Sequence, residues 1–283
     1  KQGVIIKRSS IVETLGSTTV ICTDKTGTIT ENSMKLKALF DFKTKQVFDD
    51  TSFDKSELSQ LIQFAMWSSE PVPFDPMEKT LHKVYAETQT SDLRKGFQMV
   101  HEYPLEGKPP LMTHIFENNL GERIIAAKGA PEAILAVSIL SEDEKENLRQ
   151  QIQEFGKQGY RVLGVAKCDF KGNNFPKKQQ EFNFDFLGFT VFYDPPKQNI
   201  QQVFRKIYDA GIKVKVITGD NADTSNAIAQ QAGIKNNSPA VNGSEITQHS
   251  EAELMALLNE TTLFTRMFPE AKLSVVNTLK QSG

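Results

Sequence analysis

Asp24 is followed by Lys25, Thr26, Gly27 and Thr28. A carboxylate here is ionised at pH 7 and can attack phosphorus once the phosphate's negative charge is neutralised. Gly27 lets the backbone turn beneath a bound phosphate. Taken alone, an aspartate just ahead of a glycine is as readily a plain turn. A second group, Thr218-Gly219-Asp220, follows a strand and precedes a helix, so its hydroxyl and backbone N–H groups can hold phosphoryl oxygens at a positive helix end. Lys272 adds a cation at the start of the last helix, where its charge opposes the helix dipole. Alone, Lys272 reads as a solvated lysine and Asp220 as a helix cap.

The hydrophobic pattern supplies the elements that must position these groups. The stretch from Ile11 to Thr23 ends in TTVICT, a β-branched run read as a buried strand, which puts Asp24 at a strand's C-terminal end. Ile212 to Thr218 is a second such strand, and Ile200, Val203, Phe204, Ile207 and Tyr208 before it share one helix face. A helical pattern follows to about Gly233. Strand and helix in alternation predict a parallel sheet, which binds ligands at the C-terminal ends of its strands.

The middle of the chain has another texture, with amphipathic helices near 55–69 and 76–87 and extended runs at 111–117, 122–128 and 161–168. A capping box at Ser141 to Glu144 precedes Leu148, Ile152 and Phe155. This reads as an α+β domain inserted into the parallel-sheet domain, with residues 1–34 and 188–283 in one domain and 35–187 in the other. A further capping box at Ser250 to Glu253, a short strand at 262–266 and a helix from Pro269 complete the pattern.

The 283 residues are 39% apolar, enough to bury a substantial core. A net charge of -2 gives no broad field for nucleic acid or an acidic membrane. Cys22 and Cys168 are far apart, and His82, His101, His114 and His249 are scattered, so spacing suggests neither a disulfide framework nor a metal cluster. No apolar run approaches the length of a membrane span. The chain starts at Lys1 and stops at Gly283, which reads as excision from a longer polypeptide.

The string ICTDKTGTIT resembles the phosphorylation signature of P-type ATPases, a branch of the haloacid-dehalogenase-like phosphotransferases. The resemblance continues through KGAPE at 128–132, YDPP at 193–196, TGDN at 218–221, and Arg266 followed by Pro269-Glu-Ala-Lys272. It implies a Rossmann-like parallel-sheet domain holding Asp24, Lys25, Thr26, Thr218, Gly219, Asp220 and Lys272 as catalytic residues. It also implies an inserted α+β domain on an antiparallel sheet that binds ATP, with Asp24 and the Thr26 carbonyl as Mg²⁺ ligands. Soluble phosphatases of this superfamily usually carry a second aspartate at the Thr26 position; a threonine cannot activate water, so the aspartyl phosphate should persist.

For the nucleotide, the resemblance implies Glu78, Lys128, Gly129, Arg161, Leu163, Asn221 and Arg266. Glu78 has a rival reading, since Asp75-Pro76-Met77-Glu78 is itself a helix opening in which the glutamate reaches back. Lys128 ahead of Gly129 and Pro131 reads as lying at a sharp turn. The family's adenine-stacking phenylalanine aligns with Leu105, with Tyr103 two residues earlier as the other candidate, and Lys108 stands in for a lysine that falls at Pro110. Lys197 replaces an arginine often found after DPP.

The expected function is therefore ATP binding with transfer of the γ-phosphate to Asp24, driving cation transport on the cytoplasmic face of a membrane, with calcium favoured. The implied partners are the transmembrane and actuator domains of the parent chain, with the cation held outside this sequence. Two alternatives stay open: a soluble phosphatase of the same superfamily, and a module that only binds nucleotide. The last follows because the family's GDGxND loop, whose aspartate helps hold Mg²⁺, is not within the sequence, so little turnover is expected of this chain.

Overall fold

The structure is a computed structural model that describes residues 16–281 apart from 90 and 173. The chain divides into two compact units, Lys1–Asn32 with Pro195–Gly283, and Ser33–Asp194.

In the discontinuous unit, four parallel strands stand in the order β1 (Val20–Thr23), β9 (Lys213–Ile217), β11 (Leu263–Thr265), β10 (Val241–Asn242). The helix Ile200–Asp209 precedes β9 and buries Ile200 and Phe204, and the helix Ala222–Gln231 follows β9 and buries Ile228 and Ala229. The core at the β10 end gathers Ile217, Val241, Leu258, Phe264, Ala271 and Val275, drawing the helices Glu251–Glu260 and Pro269–Gln281 onto the sheet. One reading is corrected: β1 is not buried. Among the described residues it is an edge strand, with Cys22 exposed and Val20, Ile21 and Thr23 half-buried. β-branched residues suit an edge strand as well as a central one, so composition does not separate the two.

The contiguous unit is a seven-stranded antiparallel sheet in the order β3 (Gln46–Asp49), β2 (Lys35–Asp41), β8 (Asp185–Tyr193), β7 (Arg161–Cys168), β6 (Arg123–Gly129), β5 (Leu111–Asn118), β4 (Phe97–Glu106). Both faces are covered, which explains why its central strands read as continuous apolar runs rather than alternating ones. On one face Phe40, Ile115, Ile125, Ala127, Phe189 and Val191 pack with Ile134 and Leu135 of the helix Pro131–Val137 and Leu148 and Phe155 of the helix Glu142–Lys157. On the other, Leu39, Phe116, Ala126, Val165 and Phe192 pack with Leu61, Ile62 and Met66 of the helix Ser59–Trp67 and Leu81 and Tyr85 of the helix Pro76–Thr88. Each of the larger apolar side chains removed from water contributes about 1.5–3 kcal/mol, so the two layers rather than the turns hold the sheet. β8 runs from Asp185 to Tyr193 inside this sheet, and the compact units part after Asp194 rather than at Leu187.

Candidate functional site

Three of the parallel strands, β1, β9 and β11, deliver candidate residues at their C-terminal ends. Asp24 directly follows β1 in extended conformation, and its Oδ1 accepts from the Lys25 amide at 2.7 Å. The next turn is a wide helical loop, Lys25–Ile29, interrupted at Thr26 and Gly27. Gly27 has φ 75°, the left-handed region in which a side chain is strained. Thr30 closes the loop: its amide donates to the Lys25 carbonyl at 3.1 Å, and its hydroxyl accepts from the Gly27 amide at 3.2 Å. Lys197 Nζ donates to the Gly27 carbonyl at 2.8 Å, which gives the residue after DPP a loop-bracing role.

Lys272 Nζ lies 3.3 Å from Asp24 Oδ2, joining residues at the two ends of the unit's sequence. Both side chains are well exposed, 37% for Lys272 and 51% for Asp24, so a ligand can reach between them. Lys25 points the other way. It is buried and forms an ion pair with Asp220 Oδ2 at 2.5 Å. Thr218 is buried, and its hydroxyl accepts from the Asp220 amide at 3.2 Å and lies 3.4 Å from Asp220 Oδ2.

Asn221, not Asp220, caps the helix Ala222–Gln231, its Oδ1 accepting from the Thr224 amide at 2.9 Å. Its carboxamide oxygen is committed to the cap, which leaves the NH2 group as its donor. Arg266 is exposed at φ 51°, and its amide donates to the Asp220 carbonyl at 2.8 Å, tying the end of β11 to the loop after β9.

In the antiparallel unit, Lys128 and Glu78 meet in the interior. Both are 5% exposed. Lys128 Nζ donates to Glu78 Oε1 at 2.6 Å, to the Ser68 carbonyl at 2.8 Å and to Ser69 Oγ at 2.8 Å. Burial pushes the Lys128 pKa down, and the Glu78 carboxylate opposes that shift. Glu78 Oε2 is buried without a hydrogen-bond partner, so the pair has an oxygen to spare for a donor.

Two readings change here. Lys128 is a strand residue on β6, opposite Val165 and Met112, and not at a turn. Glu78 does not reach back to cap its helix, because Asp75 does so alone, accepting from the Met77 and Glu78 amides at 2.8 and 3.3 Å. Gly129 has no room for a side chain, since a Cβ would stand 2.5 Å from Leu111 Cα and 2.6 Å from the Pro110 carbonyl oxygen.

Leu163 is buried in the layer that holds Val165, and Arg161 stands two residues before it on the same face of β7, half-buried. Tyr103 is corrected. It is 5% exposed, sits in the opposite layer with Phe182, and its hydroxyl donates to the Pro176 carbonyl, so it offers no stacking surface on the Lys128 face. Leu105, at 60%, and Lys108 are exposed. Sequence reasoning missed Ser68, Ser69 and the fully buried His114, whose Nδ1 lies 3.1 Å from the Ser69 carbonyl.

Fold and site together define an α/β protein of two units, one presenting an aspartate and a lysine at the C-terminal edge of a parallel sheet, the other burying a lysine–glutamate pair on an antiparallel sheet. The family described as "P-type ATPase, cytoplasmic domain N" matches residues 70–199, which lie largely in the antiparallel unit. The whole chain is similar to "Probable cation-transporting P-type ATPase" of Mycoplasma genitalium, 32% identical over 100% of this chain and 31% of that protein. It is 28% identical to "Calcium-transporting ATPase 1" of Bacillus cereus over 100% of this chain and 34% of that protein. "Potassium-transporting ATPase alpha chain 2" of Rattus norvegicus is 31% identical over 83% of this chain and 27% of its own length. The chain belongs to the P-type ATPase family. It spans about a third of the length of the curated relatives it matches.

Proposed function

We propose that this chain is the portion of an ATP-driven cation pump that binds ATP and takes its γ-phosphate onto Asp24. The observation that carries the reading is Asp24 at the end of β1 with Lys272 Nζ 3.3 Å from its carboxylate. An Asp24 carboxylate oxygen attacks the γ-phosphorus, the new P–O bond forms as the bond to the β-phosphate oxygen breaks, and ADP leaves with that electron pair. Lys272 offsets the negative charge gathering on the phosphoryl oxygens. Lys25 acts at one remove, holding Asp220 and with it the loop after β9.

The Asp24 carboxylate and the Thr26 carbonyl are oxygens of the kind Mg²⁺ accepts, and the exposure of Asp24 leaves room for the waters that ion keeps. Bound there, Mg²⁺ would neutralise phosphate charge. Thr26 has no group that deprotonates water, so the aspartyl phosphate outlives transfer, which favours a pump over a soluble phosphatase.

In this proposal the antiparallel unit is the nucleotide-binding domain. Lys128, Glu78 and Gly129 form the floor of its site, with Arg161, Leu163 and the exposed Leu105 and Lys108 as further ligand residues. The discontinuous unit is the phosphorylation domain. Among the described residues no helix is long and apolar enough to cross a membrane. The proposal assigns the membrane helices and the ion ligands to other parts of a parent protein, with this portion on the cytoplasmic face. Calcium is the favoured ion, supported by relatives named as calcium-transporting ATPases in Bacillus cereus, Bacillus subtilis and Saccharomyces cerevisiae.

The test is acid-stable labelling of the parent protein with γ-labelled ATP. Labelling should vanish in Asp24→Asn, and label retained in that variant would overturn the proposal.

A further inference from the structure

The four histidines show no metal-binding spacing in sequence, yet the fold gathers an imidazole and two carboxylates. His114 sits in β5 and is fully buried; Glu102 is its cross-strand partner on β4; Glu70 lies in the loop after the helix Ser59–Trp67. One ligand atom from each lies within 4.8 Å of the other two.

The tautomer of His114 follows from its neighbour. Nδ1 is 3.1 Å from the Ser69 carbonyl, which can only accept, so Nδ1 carries the proton. Nε2 then presents a bare lone pair. It is buried, has no hydrogen-bond partner, and stands 3.9 Å from Glu70 Oε1. A buried imidazole lone pair that faces carboxylate oxygens is repelled by them unless a cation lies between. A metal ion needs this state, with a neutral imidazole and ionised carboxylates. A metal-bound histidine also commonly donates its other ring nitrogen to a backbone carbonyl, as His114 does to Ser69.

We propose that His114, Glu70 and Glu102 bind a divalent transition-metal ion of the zinc class, with a fourth position left for water. One nitrogen with two oxygens suits such an ion, whereas Ca²⁺ and Mg²⁺ favour all-oxygen sets. Bonds of about 2.0–2.1 Å put neighbouring tetrahedral ligands roughly 3.3 Å apart, so the carboxylates must close by about 1 Å or more. They are free to do so, since Glu102 is exposed and Glu70 half-buried on a loop. The ion would sit one residue from Ser69, whose hydroxyl accepts from Lys128, and so would bear on the Lys128–Glu78 pair. The proposal does not depend on the nucleotide reading, and its test contains no nucleotide.

The chain is titrated with Zn²⁺ by calorimetry, its thermal unfolding is followed with and without Zn²⁺, and Co²⁺ is used to read d–d absorption. One ion per chain, a raised Tm and a four-coordinate Co²⁺ spectrum are expected. Glu70→Gln and Glu102→Gln, on accessible side chains, should each weaken Zn²⁺ binding by about tenfold or more with the circular dichroism unchanged. His114→Gln should abolish the Co²⁺ band, and the two glutamate variants carry the test should that buried substitution unfold the chain. No Zn²⁺ uptake by the unsubstituted chain, or uptake equally tight in both glutamate variants, would overturn the proposal.

Discussion

Asp24 and Lys272 are 248 positions apart, and their 3.3 Å approach turns an aspartate in a turn into a carboxylate with a cation beside it. Removing that cation should cost phosphoryl transfer rather than stability, because both side chains are exposed. Lys272→Ala in the parent protein is expected to slow acid-stable labelling by about 10²- to 10³-fold, the usual effect of deleting one donor aimed at developing charge. Unchanged thermal unfolding of the same variant would separate that effect from misfolding. Lys128 and Glu78 are the opposite case, since both are buried and neither can be satisfied by water. Lys128→Met or Glu78→Gln alone should destabilise the chain by roughly 3–5 kcal/mol, and the pair changed together to apolar residues by much less. Urea unfolding of the four species in a double-mutant cycle reads that difference. Additive losses would mean that the two groups do not rely on each other.

At the scale of elements, the helix Pro76–Thr88 and strand β6 fix where the lysine–glutamate pair forms. Asp75 caps the helix through the Met77 and Glu78 amides. Asp75→Ala should therefore cost about 1 kcal/mol by urea denaturation and loosen the turn from which Glu78 projects. β6 ends at Gly129, pressed so closely on Leu111 and Pro110 that a methyl group cannot enter without moving backbone. Gly129→Ala should destabilise by about 1–3 kcal/mol, and its β5–β6 amides should exchange faster in hydrogen-exchange measurements. Most of these elements were legible in advance. The helix beginning at Pro76, the capping box at Ser141 and β7 at 161–168 carry local signals that tertiary context only has to tolerate. The Lys128 environment was not legible. Lys-Gly-Ala-Pro describes a turn by local chemistry, whereas the strand assignment comes from pairing with β5 and β7, far away in sequence.

At the scale of the whole chain, the unit Ser33–Asp194 is contiguous and holds the entire seven-stranded sheet with both of its apolar layers. Its ends meet, for the Ser33 amide donates to Asp194 Oδ1 at 3.0 Å. A segment whose termini adjoin and whose core is its own should fold when excised. Residues 33–194 expressed alone are expected to show a single cooperative urea transition and to bind a non-hydrolysable ATP analogue. A non-cooperative transition would show that the sheet depends on the rest of the chain.

By itself the sequence determined the α/β class, the position of Asp24 at the end of a strand, and the family, because these rest on short-range patterns and contiguous motifs such as ICTDKTGTIT. The tertiary structure decided which groups share a site. It joined Lys272 to Asp24 and Lys25 to Asp220, gave the helix cap to Asn221, turned Tyr103 into the opposite layer, and brought His114 to Glu70 and Glu102. Each of those outcomes depends on strand order and on which face a residue takes. A step of one residue along a strand reverses the face, and no local signal in the sequence records which strand will lie alongside.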